Sequence, residues 1–349
     1  MKKIGIIGHF GGNENFLDGQ TVKTKNLKTL LEDYGALRTY CVDTYFVRKH
    51  KIRLLLKSIL CLLKCKNIVI LLSENGMNFY LPFLYWSNKI FRRRIFHDII
   101  GSELVAMVRD NPKLVKYLNA LEINWFEYQS GAQVLTDLGV TNMSVLPNCK
   151  KLEAVDMGKI TPYVSSDGSY TFCTFSRVMA EKGITDAINA VATINQKRGA
   201  TVARLDIYGP IEETYREELE ALLAEHGDCV TYRGVIASKS SVQTLKQYYA
   251  LLFPTRWHGE GFPGTILDCY ASALPVLASD WNANKEIIVH NQTGMIYPNE
   301  ESKDLLDTIE WALDNKTEID RMKIACRQEY EKYTPEHISS VICQALTRG

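Results

Sequence analysis

The chain has 349 residues, 46% hydrophobic and 23% charged, which is enough for two domains of ordinary size in a soluble globular protein. Its nine cysteines are scattered without pairing logic and no Cys-x-x-Cys occurs, so a disulfide framework and a zinc site are both disfavoured and a reducing compartment is expected. A net charge of +1 conceals a polarity: residues 1–150 hold 21 Lys and Arg against 12 Asp and Glu, whereas the remainder holds 20 against 28. Such a balance suits the first half to an anionic surface, and no nucleic-acid partner is expected.

The opening apolar run, Ile4–Gly8, is too short for the core of a signal peptide and leads into Gly11-Gly12 without a cleavage site, so it reads as a first strand. A helical pattern over Gln20–Tyr34 follows, then strand candidates at Leu37–Val42, Ile68–Leu72 and Ile95–His97. A second helical pattern covers Leu114–Tyr128, and Gln133–Leu135 and Ser144–Leu146 read as further strands. The segment after Lys150 is polar, carries Pro162 and ends in Ser165-Ser166-Asp167-Gly168, the composition of a linker. Strands resume at Tyr170–Phe175, Leu205–Tyr208, Val230–Tyr232, Leu251–Phe253 and Pro275–Ala278. No segment has 18 continuous apolar residues, so no membrane span is expected. Strands alternating with helices twice over predict an α/β protein of two Rossmann-like, doubly wound parallel-sheet domains. The expected division is an N-terminal domain over 1–150, a linker over 151–168, a C-terminal domain over 169–332, and a helix over 333–349 that packs back on the N-terminal domain. Ligand would then bind at the carboxyl ends of the strands.

The most informative stretch is Phe253–Asp280, FPTRWHGEGFPGTILDCYASALPVLASD. Between two apolar strands it holds a glycine-rich turn, with Gly261, Phe262 and Gly264-Thr265 opening a short helix that Pro275 ends. Free N–H groups and the helix dipole at such a turn favour an anion. Glu260 and Asp268 flank it, and carboxylates accept hydrogen bonds from hydroxyls. Phosphates between polyols describe a nucleotide-sugar. Upstream, the strand Tyr170–Phe175 ends in Ser176-Arg177, followed by Glu181-Lys182-Gly183. Arg supplies a planar fork and Lys a mobile point charge, both suited to a diphosphate.

The Glu260-x7-Asp268 spacing, with Gly261-Phe262 after the first acid, resembles the acidic-pair motif of retaining GT-B glycosyltransferases of family 4. The likeness continues through the ALPVLASD strand to Lys285-Glu286 and Thr293-Gly294. Two departures stand out: the second acid is usually Glu, and Pro263 replaces a residue that commonly offers an amide donor. The resemblance implies a GT-B fold, a nucleoside diphosphate sugar (most simply a UDP-sugar) as donor substrate, and no cofactor. It implies that Arg177 and Lys182 grip the diphosphate, that Glu260 holds a sugar hydroxyl, and that Asp268 accepts from the ribose. Gly11 and Gly12 would approach the donor phosphate, with Asp18 and Gln20 toward the acceptor. His97 would contact the donor sugar near the reacting carbon, beside Asp98 on the acceptor side. Gly209 and Val235 would border the base and ribose. No Asp-x-Asp occurs, so the two cations and the helix start at Gly264-Thr265 are expected to balance the leaving group without a metal.

The stretch Arg48–Lys66 is a basic amphipathic pattern with Ile52, Leu55, Leu56, Ile59, Leu62 and Leu63 in a stripe, and with Arg48, Lys51, Arg53 and Lys57 around it. Arg92, Arg93 and Arg94 form a second basic cluster. Such a helix can lie on an anionic membrane or pack its apolar side on a sheet. With a lipid-linked oligosaccharide as acceptor, the expectation is a cytoplasmic protein, peripheral on the inner face of the plasma membrane. The alternatives are a non-catalytic donor-binding subunit and a nucleotide-sugar 2-epimerase on the same fold.

Overall fold

A computed structural model describes residues 3–12, 14, 19–45, 50–101, 103–298 and 302–347. The chain forms two compact units, Met1–Asn148 with Thr334–Gly349, and Cys149–Tyr333.

In the first unit, strands β1 (Lys3–Gly8), β2 (Arg38–Asp43), β3 (Asn67–Leu71), β4 (Arg94–Asp98), β5 (Ile123–Phe126) and β6 (Met143–Val145) make one sheet. Its order is β2-β1-β3-β4-β5-β6 and every pairing is parallel. The crossovers are α1 (Gly19–Thr29, continued by a π turn through Tyr34), α2 (Lys51–Lys64), α3 (Glu74–Phe91), α4 (Glu103–Asp110), α5 (Lys113–Leu118) and α6 (Gln129–Asp137). Asn67-Ile-Val-Ile-Leu71 is buried at every position, as a strand covered on both faces must be. At Gly5 an added Cβ would lie 2.5 Å from Cys61 Sγ, so glycine lets α2 close onto β1.

The second unit repeats the plan with β7 (Tyr170–Phe175), α7 (Ile184–Arg198), β8 (Ala203–Tyr208), α8 (Arg216–His226), β9 (Val230–Gly234), α9 (Ser241–Leu245), β10 (Leu251–Phe253), α10 (Gly264–Ala271), β11 (Val276–Ser279), α11 (Asn284–Ile287), β12 (Gly294–Tyr297), α12 (Ser302–Asp314) and α13 (Lys316–Glu329). Its sheet runs β12-β11-β10-β7-β8-β9, again parallel. Strand order therefore reverses between β7 and β10, where an open α/β sheet leaves a crevice at the carboxyl ends of its strands. Residues 155–163 pack on this unit: Val155 N–H donates to Ala271 O (2.8 Å), Arg327 Nε to Val155 O (2.7 Å), and Tyr163 N–H to Asp320 (3.0 Å). The last helix, α14 (Pro335–Thr347), belongs to the first unit, where Ser339 Oγ donates to Leu30 O (3.1 Å) and Arg94 to Ala345 O (3.1 Å).

Three element assignments differ from the sequence reading. Helix α5 stops at Leu118, and Ile123–Phe126, expected as helix, is the strand β5. Its Asn124, Trp125 and Phe126 are all buried, and aromatic side chains on a pleated surface outweigh a short helical spacing. Gln133–Leu135, expected as a strand, lies in α6, whose Gly131, Ala132 and Leu135 form a buried helical face. Strand β12 was not anticipated, because Gly294-Met-Ile-Tyr297 carries too short an apolar run to declare itself.

Lys23 of α1 is the internal tie of the first unit. Its Nζ meets Asp98 at 2.8 Å, Glu127 at 2.9 Å and Ile99 O at 2.7 Å, joining the helix to the carboxyl ends of β4 and β5. Burial works against its charge, but the two carboxylates reverse that and raise its pKa. Lys23→Met should leave two buried carboxylates without their cation and destabilise the protein by about 3–5 kcal/mol, read as a lower urea midpoint; an unchanged midpoint would contradict this role.

Candidate functional site

In the second unit, the chain leaving β7 and the chain leaving β10 bring Arg177, Lys182, Trp257 and Glu260 together at the reversal of strand order. Lys182 Nζ bonds Glu260 Oε2, and both side chains are under 10% exposed. Thr255 Oγ1 donates to the same oxygen at 3.1 Å. Burial lowers the pKa of Lys182, with Glu260 acting in the opposite direction. The indole of Trp257 carries both cations, Arg177 at 4.5 Å and Lys182 at 4.6 Å from ring centroids. The turn is clamped from the loop after β11: Trp281 Nε1 donates to Trp257 O (2.9 Å), Asn282 Nδ2 to Glu260 O (2.9 Å), and Ser279 Oγ to Thr255 O (2.8 Å). At the start of α10, Thr265 Oγ1 donates to Phe175 O (2.8 Å), tying the helix N-terminus to the end of β7. Gly264 stands in open space, Gly261 is half-buried, and Phe262 is buried against the Tyr333 ring. Gly209, with φ 137°, crosses so close to the Ser176 carbonyl that a Cβ would lie 1.7 Å from it, so only glycine lets β8 end beside the Arg177 backbone. Val235 is exposed.

Asp268 is placed differently from the expectation. It is 1% exposed, and both its oxygens are engaged, by Lys150 Nζ at 2.6 Å and Ser241 Oγ at 2.6 Å. Burial raises its pKa, and the ammonium and hydroxyl work to lower it. Lys150 keeps 29% of its side chain exposed.

The first-unit candidates are placed as follows. His97 is fully buried in β4, with Nδ1 3.3 Å from Asn124 Oδ1, and burial lowers its pKa to about 4. Asp98 is committed to Lys23. The Gly11-Gly12 loop wraps Asp43, whose carboxylate accepts from Phe10 N–H (2.9 Å) and Gly12 N–H (2.8 Å), so Gly12 does not offer its N–H to a phosphate. Gln20 is half-buried and its carbonyl accepts from Thr24. Asp18 lies outside the described residues, as does Arg48. Among the described residues no group of three or more His, Cys, Asp or Glu is arranged to hold a metal.

Residues 169–315 match the family model described as glycosyl transferases group 1. The matched segment contains the Arg177–Trp257–Lys182–Glu260 cluster. The alpha-D-kanosaminyltransferase of Streptomyces kanamyceticus is 26% identical over 148 residues, 42% of this chain and 37% of that protein. The amylovoran biosynthesis glycosyltransferase AmsK of Erwinia amylovora is 25% identical over 170 residues, 47% of this chain and 41% of that protein. The chain thus spans less than half the length of either relative. Among solved structures, Anabaena Alr3699/HepE in complex with UDP and glucose has a TM-score of 0.69 at 14% identity, covering 99% of this chain and 100% of that one. Sucrose-phosphate synthase of Thermosynechococcus elongatus has 0.70 at 15%, covering 99% and 98%. Likeness over nearly the whole chain establishes the GT-B fold.

His97 generates a pH prediction. Its folded pKa is depressed from 6.5 to about 4, so the unfolded chain takes the proton first and stability falls as pH drops through that window. The loss attributable to this residue should be about 3 kcal/mol. Denaturation between pH 7 and pH 4 should show it, and His97→Gln should flatten the profile; parallel profiles would refute it.

Proposed function

We propose that this chain is a retaining glycosyltransferase that moves a hexose from a nucleoside diphosphate sugar, of UDP type, to a saccharide acceptor borne on a polyprenyl diphosphate. The setting is capsule, O-antigen or exopolysaccharide assembly at the cytoplasmic face of the plasma membrane. One observation carries the reading: Arg177 and Lys182 stack on one indole beside Glu260 and the α10 N-terminus, where the sheet order reverses. Two cations and free helix N–H groups compensate the charge that develops on a departing diphosphate. The UDP and glucose of the Anabaena structure, and the biosynthetic glycosyltransferases among the relatives, support this donor class and this setting.

Glu260 opposes the effect of burial on Lys182 and, in this reading, turns its other oxygen to a sugar hydroxyl. Glu260, the carboxylate beside Arg177 and Lys182, is bonded to that lysine, which favours front-face attack over double displacement. The acceptor hydroxyl approaches from the leaving-group side, and its proton passes to the departing phosphate oxygen. Arg177 and Lys182 hold that phosphate throughout. No metal is required for this balance of charge.

Purified protein with an α-linked UDP-sugar and a lipid-linked acceptor should give an α-linked product by NMR; a β-linked product would exclude retention. Arg177→Ala and Lys182→Ala should each lower kcat by about 10²-fold or more, the loss of one preorganised charge contact. Turnover abolished by EDTA and restored by Mg²⁺ would rule out the metal-free balance. A donor-binding subunit would instead bind the nucleotide-sugar and transfer nothing alone. Binding itself is read by thermal shift, where a donor at 100 times its Kd adds about 2.7 kcal/mol.

A further inference from the structure

Helix α2 has two apolar faces, and only one is used. Leu54, Ser58, Cys61 and Leu62 are buried toward the sheet. Of the stripe expected from the sequence, Leu62 belongs to that buried face, whereas Ile52, Leu56 and Leu63 lie on the opposite side, exposed by 78, 57 and 56%. At 100° per residue the exposed stripe centres far from the buried one, and Arg53 and Lys57 are exposed along its edge. Helix α3 adds a second stripe the sequence reading missed: Phe79, Phe83, Trp86 and Ile90 at helical spacing, with Trp86 57% and Ile90 79% exposed. Phe79 and Phe83 stack at 5.9 Å. The two helices are neighbours, joined by Ser58 Oγ and Tyr80 OH at 3.1 Å and by Arg93 Nε to Leu62 O at 2.7 Å.

Of the fifteen exposed large apolar side chains among the described residues, eight lie on these two helices, a concentration that scattered surface residues do not show. Cations border the patch. Lys89 Nζ lies 4.3 Å over the Trp86 ring, Lys116 Nζ 5.1 Å over Tyr85, and Arg92 is exposed at the end of α3. Helix α2 has no acidic residue and α3 has only Glu74. Neither helix is long and apolar enough to cross a bilayer. The basic cluster is narrower than expected, since Arg94 is spent on Glu122 and Ala345 O.

We propose that the exposed faces of α2 and α3 form one surface that embeds in the interface of an anionic phospholipid membrane. Apolar side chains enter the acyl boundary, the amphipathic indole of Trp86 sits at headgroup depth, and Lys57, Lys89 and Lys116 reach back to phosphate. A second copy is a poor occupant, because a two-fold contact through this patch would set its lysines and arginines against each other. The proposal rests on the transferase reading only in giving the surface a purpose, bringing the protein to a lipid-borne acceptor.

The test is flotation of the full chain, without donor or acceptor, on phosphatidylcholine vesicles with and without phosphatidylglycerol. Binding should require phosphatidylglycerol, fall with added salt, and drop at least about tenfold in Leu56→Ser and in Trp86→Ser. Both sites are exposed, so unchanged thermal unfolding of the variants keeps the comparison free of misfolding. Vesicles should blue-shift the tryptophan emission, and Trp86→Phe should remove that shift. No binding, equal binding to neutral vesicles, unaffected variants, or a solution dimer dispersed by Leu56→Ser would overturn the proposal. Failure here leaves transfer to a soluble acceptor untouched, whereas normal vesicle binding without any transfer would sink the catalytic reading instead.

Discussion

Burial lowers the pKa of Lys182, and the carboxylate of Glu260 that lies against it works in the opposite direction. The pair joins segments 78 residues apart, one leaving β7 and one leaving β10. Around it the polar groups are spoken for in order: Thr255 steadies the carboxylate, Trp281 and Asn282 fix the turn, and Trp257 spreads its π face beneath both cations. Remove the ion pair and the turn, the indole and the arginine lose their common reference. The Lys182 ammonium thus has a counter-ion and is held in place beside the Trp257 ring.

The departures at Pro263 and Asp268 are connected by α10. Pro263 has no N–H to give, and it presets the backbone that leads into the helix with φ −70°. One turn later Asp268 is too short to leave the helix surface, and its charge is balanced by Lys150 and Ser241. An acidic position has become the buried half of a Lys–Asp pair.

The parallel α/β plan was legible because buried parallel strands appear as short apolar runs between amphipathic helices, and ten of the twelve strands announce themselves that way. Ile123–Phe126 did not, since Asn124 and Trp125 interrupt the run while being buried by their neighbours. In the site, Arg177, Lys182 and Glu260 could be found from local motifs. That Lys182 and Glu260 bind each other could not, because their distance depends on the strand order. Trp257 lay within the motif, but only the fold shows it beneath two cations. Lys150 is 118 residues from Asp268 and carries no local signal. The burial of His97 carried no signal of its own, because a histidine at a strand end reads alike whether it is exposed or enclosed.

The return of α14 to the first unit has a consequence for how the protein is made. Residues 149–333 are an insertion, in the sense of connectivity, into a unit whose helix α14 follows them in the chain. The β2-β1-β3-β4-β5-β6 sheet can pair as soon as residue 148 has emerged from the ribosome. Its cover over Leu30, Asn67 and Arg94 arrives only with Ser339, Ala345 and Leu346. For the whole time needed to synthesise the inserted unit, at about 5–20 residues per second, the first sheet waits with one apolar flank open. Closing that flank is therefore coupled to completion of the second unit, which the chain must traverse first.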